Sequence, residues 1–304
     1  MKKKIWVLWC LILALSISAC GFQPATPPES TPPTEESSIP TEPTEPSVPP
    51  TSEKRVGWYD QDGDTYYYNE DGVMTVGWLE LNEDRYYFRE DGRMAKGMVT
   101  IDGKPCFFTS TGAPIYLVNP WHFLPEDYSP DLVELPGSIS TSGQKVDRSC
   151  YDALLQMIAD CNKECPKACV VSSYRTQEYQ QGLFQKKINF YLNQGYNQED
   201  AERLAATVIA VPGTSEHQLG LAVDIIDTRS WNLNEGQADL PAQQWLMANC
   251  WKYGFILRFP ADKTDITGII YEPWHYRYVG KNVAKELYEA GLTLEEYITN
   301  LTQE

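Results

Sequence analysis

The chain contains three histidines, His122, His217 and His275, so the position of each is informative. His217 lies in Ser215-Glu-His-Gln-Leu-Gly-Leu-Ala-Val-Asp224, and His275 closes Glu272-Pro-Trp-His275. His217, Asp224 and His275 offer two imidazoles and a carboxylate, the three-ligand set of a catalytic zinc that keeps its fourth position for water. Glu272, three residues before His275, is placed to act on that water as general base. Zinc lowers the pKa of water and polarises a scissile carbonyl. A lone histidine is commonly a surface or core residue, and a lone aspartate such as Asp224 commonly faces solvent. The combination argues otherwise, because an aspartate immediately before Ile225 and Ile226 in an apolar strand is costly unless it is paired or ligates a cation. Trp274 and Tyr276 on either side of His275 predict a walled cleft. His122, in Asn119-Pro-Trp-His-Phe, has no carboxylate at motif spacing and reads as structural.

The elements that carry these residues are constrained by the spacing. His217 and Asp224 are seven apart, so on one straight strand they face opposite sides. The chain must turn at Gly220, with His217 before the strand and Asp224 inside it. Residues 147–162 place Tyr151, Leu154, Leu155 and Ile158 at helical i, i+3, i+4, i+7 spacing. Residues 168–173 read as a strand, and Thr176 opens a helix. Asn197 caps another helix running through Ile209. A loop over 212–220 leads into a strand over 221–226 and a helix over 240–253. Short strands are expected near 255–258, 268–271 and 276–279, then two short helices, the last capped by Thr293. Without a strict βαβ alternation, the fold class is α+β.

The formal charge of −17 argues against nucleic acid, whose phosphates call for a basic surface. Lys2, Lys3 and Lys4 precede an apolar run from Ile5 to Ile17, the layout of an export signal and too short for a comfortable membrane span. The run ends Ile17-Ser18-Ala19-Cys20, similar to a bacterial lipobox, which implies acylation of Cys20 and membrane attachment through that lipid alone. Residues 1–20 are thus assigned to the signal and lipobox, and the Pro-, Thr-, Ser- and Glu-rich residues 21–54 to a disordered tether. Six other cysteines follow Cys10 and Cys20, and outside the cytoplasm an even set suggests bridges or spare thiols rather than a metal site.

Residues 55–114 hold a repeat. Gly57-Trp58, Gly77-Trp78 and Gly97-Met98 recur at a spacing of 20, as do Tyr66-Tyr67-Tyr68, Tyr86-Tyr87-Phe88 and Cys106-Phe107-Phe108. Each unit reads as a β-hairpin that must stack on its neighbour. The pattern resembles the choline-binding and glucan-binding cell-wall repeats. That resemblance implies an aromatic cage for a quaternary ammonium, built from Trp58, Tyr66, Trp78 and Tyr86. Met98, standing where a third tryptophan belongs, favours a wall-directed spacer or weak binder of wall polymer over a full choline site.

Residues 115–304 form the second module. Ser-x-His-x6-Asp, Glu-Pro-Trp-His-Tyr-Arg-Tyr-Val-Gly and Ser172-Ser-Tyr-Arg-Thr176 together resemble the zinc D-alanyl-D-alanine carboxypeptidase family of the vancomycin-resistance type. Leu117-Val-Asn119 and Leu124-Pro-Glu-Asp-Tyr128 extend the likeness. The resemblance implies the hedgehog/D,D-peptidase fold, a small antiparallel sheet with flanking helices. It implies zinc on His217, Asp224 and His275, Glu272 as base, and Arg175 on the substrate carbonyl and oxyanion. Ser215, Gln180 and Trp274 match positions lining the substrate pocket. The implied substrate is the peptidoglycan stem peptide, cleaved on the outer face of the membrane of a Gram-positive cell. L,D-carboxypeptidases, D,D-dipeptidases and wall endopeptidases carry nearly the same metal site and remain alternatives, as does a non-catalytic zinc-containing wall-binding protein.

Overall fold

The computed structural model describes residues 54–302, apart from 82, 83, 126, 127 and 166. The signal, the lipobox at Cys20 and nearly all of the 21–54 tether lie outside the described residues.

The repeats are three hairpins: β1 (Gly57–Gln61) with β2 (Asp64–Tyr68), β3 (Gly77–Leu81) with β4 (Asp84–Phe88), and β5 (Gly97–Ile101) with β6 (Lys104–Phe108), the last extended by β7 (Pro114–Ile115). The β1–β2 and β5–β6 turns are Asp-Gly pairs with both φ angles positive, the two-residue turn whose twist matches the strands. Successive units interlock. The Met94 amide donates to the Thr65 carbonyl at 2.7 Å, and Met74 packs against Gly92 so closely that a Cβ there would meet its sulfur at 2.2 Å. The expected cage is only partly assembled. Trp58 is paired across the hairpin with Tyr67, their rings 5.2 Å apart, and Tyr86 of the next unit stands 4.9 Å from Trp58. Tyr66 pairs with Tyr59 on the opposite face, because side chains alternate along a strand. Trp78 belongs to the following cluster with Tyr87 and Phe108, and the Arg85 guanidinium sits 4.0 Å above its ring.

The C-terminal module is α+β. A small hairpin of β8 (Leu132–Glu134) and β9 (Lys145–Asp147), which sequence periodicity did not reveal, precedes α1 (Arg148–Glu164). Asp147 caps α1 by accepting from the Ser149 amide. Then come β10 (Ala168–Ser172), α2 (Gln177–Asn193), capped by Thr176, and α3 (Gln198–Ala206), capped by Asn197. β11 (Ala222–Asp227), α4 (Pro241–Asn249), β12 (Phe255–Leu257), α5 (Thr264–Thr267), β13 (His275–Tyr278), α6 (Lys281–Ala290) and α7 (Leu294–Leu301) complete the module. Thr293 and Glu296 form a reciprocal capping box on α7. Two expectations fail. The helix from Asn197 ends at Ala206 rather than Ile209, its last turn closed by the Thr207 hydroxyl on the Leu204 carbonyl. Residues 268–271 are not a strand: Gly268 ends α5 with φ +76°, and Ile270 donates to the Thr207 carbonyl instead of a sheet neighbour.

The central sheet is antiparallel in the order β10-β11-β13-β12. Its period-2 alternation divides the work between faces. Val170, Val223, Ile225 and Tyr276 turn toward α1 and α4 and form the main core with Leu154, Met157, Ile158 and Leu246. Asp224 and His275 alternate with them and point the other way. Tyr276 therefore does not wall the cleft; it is buried in the core, donating its hydroxyl to Gln243 at 2.7 Å. Cys150, Cys161 and Cys250 fill this core as free thiols, and Cys165 and Cys169 are half-buried and also free, so these five form no bridges. Burial pushes the Cys161 thiol up to about 12, which leaves it a small apolar filler rather than a reactive thiolate. A second core joins α6 and α7 to Ile115 and Leu117, with Phe107 of the repeats and Leu301 packed on it, so the two modules share buried surface.

Candidate metal centre

The required turn at Gly220 is present. His217 lies on a single 3₁₀ turn over Glu216–Leu219, Gly220 follows with φ +75°, and Asp224 stands within β11. Gly220 is also closely packed, since a Cβ there would stand 3.0 Å from the Asp147 amide nitrogen on a backbone that already favours glycine. Asp224 is paired with His275 on β13 and with Ser172 on β10, so three site residues lie abreast on neighbouring strands. Ser172 reaches that row through a bulge between Val170 and Ser172, without which alternation would turn it away.

His217, Asp224 and His275 are all buried and bring their ligand atoms within 4.8 Å of one another, the metal-type cluster found among the described residues. His217 Nε2 lies 3.4 Å and His275 Nδ1 3.1 Å from Asp224 Oδ1, with the two rings perpendicular. The nitrogen of His217 facing away, Nδ1, is 2.8 Å from the Ser173 carbonyl oxygen and donates to it, which leaves Nε2 as a lone-pair ligand. Glu272 Oε2 is 3.7 Å from His275 Nδ1, on the ligand side of the ring.

The electrostatics suit a cation. Burial opposes ionisation of Asp224, but His217, His275 and Arg175 outweigh it and hold its carboxyl well below the usual range. Burial alone would lower His275, yet the neighbouring carboxylates of Asp224, Glu216 and Glu272 outweigh it and raise the imidazole to about 9, so the locus favours positive charge. Burial lowers His217 to about 4 and raises Glu272 to about 8. Two neutral imidazole nitrogens and a carboxylate oxygen on one locus, with a second carboxylate beside them, fit zinc.

Arg175 donates from Nη2 to Asp224 Oδ2 and to Ser172 Oγ, each at 2.8 Å, so it anchors the ligand carboxylate. Gln180 has no exposed surface. Its carbonyl accepts from Arg175 Nη1 at 3.4 Å while its amide donates to the Ala210 carbonyl, so it holds Arg175 from behind rather than forming the cavity wall. Ser215, Trp274, Asn119 and Lys187 line the cavity together with the metal-type cluster. A second depression shares Val208, Leu233 and Trp274 and continues toward Glu235 and Tyr271. His122 takes no part: its Nδ1 lies 2.9 Å from Asn119 Oδ1 within a tight turn.

Sequence reasoning missed a buried charge cluster behind the site. Glu216, Arg258 and Arg277 are essentially solvent-free, and Glu216 Oε1 accepts from Arg258 Nε and Arg277 Nη1, each at 2.8 Å. One signal was available. Arg277 is two residues beyond His275 on the same strand and so shares its face.

Comparison with known proteins agrees with this geometry. The VanY D-alanyl-D-alanine carboxypeptidase family model matches residues 143–281, and a cell wall binding repeat model of the choline-binding type matches 56–74 and 76–94. A D-alanyl-D-alanine carboxypeptidase of Enterococcus faecalis is 40% identical over 185 residues, covering 60% of this chain and 65% of that protein. The chain thus spans just under two thirds of the length of that relative. A variant of the vancomycin-resistance D,D-pentapeptidase VanY from a VanB-type cassette, solved in complex with Zn(II), is 39% identical with a TM-score of 0.54, over 60% of this chain and 97% of that one. The LD-carboxypeptidase LdcB is 36% identical with a TM-score of 0.54, over 67% of this chain and 94% of that one. Near-complete coverage of solved relatives at this identity, with the metal-type cluster inside the matched region, places the chain in the VanY family of D-alanyl-D-alanine carboxypeptidases.

Proposed function

We propose that this chain is a zinc-dependent D-alanyl-D-alanine carboxypeptidase that trims the terminal D-alanine from peptidoglycan stem peptides. The observation that carries the reading is the convergence of His217, Asp224 and His275 beside the Glu272 carboxylate in an open cavity. Zinc supplies Lewis acidity there, lowering the pKa of water and polarising the scissile carbonyl. Glu272 takes the proton of the attacking water and returns it to the departing amine. Arg175 has five N–H groups, and hydrogen bonds to Ser172, Asp224 and Gln180 occupy four of them. The remaining Nη1 hydrogen is available to the carbonyl oxygen as negative charge develops on it. Ser215 and Trp274 contact the terminal residue, and the depression beyond Trp274 receives the preceding residues of the stem.

The likeness to an LD-carboxypeptidase, at the same TM-score as the VanY structure, supports L,D-carboxypeptidase activity as the second reading. Defined stem peptides separate the two. Release of D-alanine from the pentapeptide and not from the tetrapeptide supports the D,D assignment. Release from the tetrapeptide alone transfers it to the L,D bond, and release from neither overturns both.

The repeats are read as a wall-polymer anchor, with the lipid at Cys20 and the tether over 21–54 holding the chain at the outer membrane face. Support for the repeats comes from the matched cell wall binding units and the Trp58–Tyr67–Tyr86 cluster. Trp58→Ala is expected to weaken retention on choline-bearing walls by about two- to thirty-fold, from the ~0.5–2 kcal/mol of a cation–π contact. A wall pull-down with free choline as competitor measures it, and unchanged retention leaves the repeats as a spacer.

A further inference from the structure

His275 presents Nδ1 to Asp224 and Glu272, so its ligand nitrogen is the one nearer the backbone. Its other nitrogen, Nε2, is buried and makes no hydrogen bond. Oε2 of Glu216 is buried and makes none either. These two atoms lie 3.6 Å apart. A small rotation of either side chain brings them to hydrogen-bond distance, and each is then satisfied by the other.

The remainder of the Glu216 environment fixes that carboxylate in place. Its other oxygen, Oε1, accepts from Arg258 and Arg277. Arg258 continues to Glu295 on α7 through bonds of 2.9 and 2.6 Å, and Glu295 also accepts from Asn119. Arg277 is tied to the Tyr116 and Tyr278 carbonyls. A carboxylate present only to neutralise two arginines would spend both oxygens on them. Here both guanidinium groups converge on one oxygen, and the second is aimed at an imidazole. Phe259 packs against the same ring, with centroids 4.8 Å apart, and restricts its tilt.

We propose that Glu216 is a positioning residue for the metal centre: it accepts the Nε2 proton of His275, fixes that ring as the Nε2–H tautomer and directs the Nδ1 lone pair at the ion. His217 has the mirror arrangement, with Nδ1–H held by the Ser173 carbonyl and Nε2 facing the ion. The two ligands thus use opposite nitrogens, each pinned by a different partner. The inference rests on the zinc reading above.

The test is zinc affinity by chelator competition on the full chain and on Glu216→Gln, which keeps the side chain's shape and an acceptor for the arginines but removes the charge facing Nε2. The expected result is zinc binding about 10–100-fold weaker. Equal affinity, within two-fold, overturns the proposal. Wild-type protein that takes up no zinc overturns the underlying reading of the site instead, so the two failures are distinct. Because removing a buried charge can prevent folding, a second measurement uses the unaltered, zinc-loaded chain. With three histidines in the sequence, ¹⁵N-labelled imidazole spectra are assignable. A protonated Nε2 on His275, shifted as expected for donation to a carboxylate, supports the proposal. A ring protonated at Nδ1, or an Nε2 proton in exchange with solvent, overturns it.

Discussion

Replacing Glu272 by glutamine is expected to lower kcat by about 10²–10⁴-fold while leaving bound zinc unchanged. The separation of the two effects follows from position. Glu272 lies beside the ligand cluster, 3.7 Å from His275 Nδ1, but the three ligand atoms that converge belong to His217, Asp224 and His275. Glutamine preserves the size of the side chain and the backbone bond from the His275 amide to the Glu272 carbonyl, so the turn that presents His275 is retained. What disappears is the proton acceptor. Burial raises the Glu272 carboxyl to about 8, so its environment favours holding a proton, as the proposed general base must once it has taken one from water. Metal analysis and D-alanine release on the same preparation decide the matter. A variant that retains turnover refutes Glu272 as the base, and one that loses zinc makes it a ligand.

Removal of the metal by a chelator is expected to abolish peptide cleavage and to lower Tm by on the order of 10 °C, both reversed by added zinc. The stability change is a binding effect. A ligand held only by the folded state, at a thousand times its Kd, contributes about 4 kcal/mol, and in a domain of this size each kcal/mol moves Tm by roughly 2–4 °C. Differential scanning calorimetry with and without chelator measures the shift. Full activity in chelator would overturn the metal reading altogether.

The parts of this protein legible in its sequence are those set by short-range physics. The 20-residue period pointed to the hairpins, and in the first and third of them an Asp-Gly pair adopts two consecutive positive φ angles and closes a two-residue turn. Thr176, Asn197 and Thr293 marked three helix starts, because a capping bond spans two or three residues. His217, Asp224, His275 and Glu272 were readable because their spacing and residue types alone meet the requirements of a metal centre, and Gly220 had to be the turn between them. Tertiary structure decided what depends on register and on distant partners. Strand pairing put Tyr67 rather than Tyr66 beside Trp58, and put Tyr276 in the core rather than the cleft. A bulge in β10 brought Ser172 level with Asp224. Glu216 acquired its meaning from Arg258, 42 residues away, and Arg277, 61 residues away. Local propensity carries no record of such contacts: a buried charge can be tolerated only where the folded chain delivers its partners, and that delivery is a property of the whole packing.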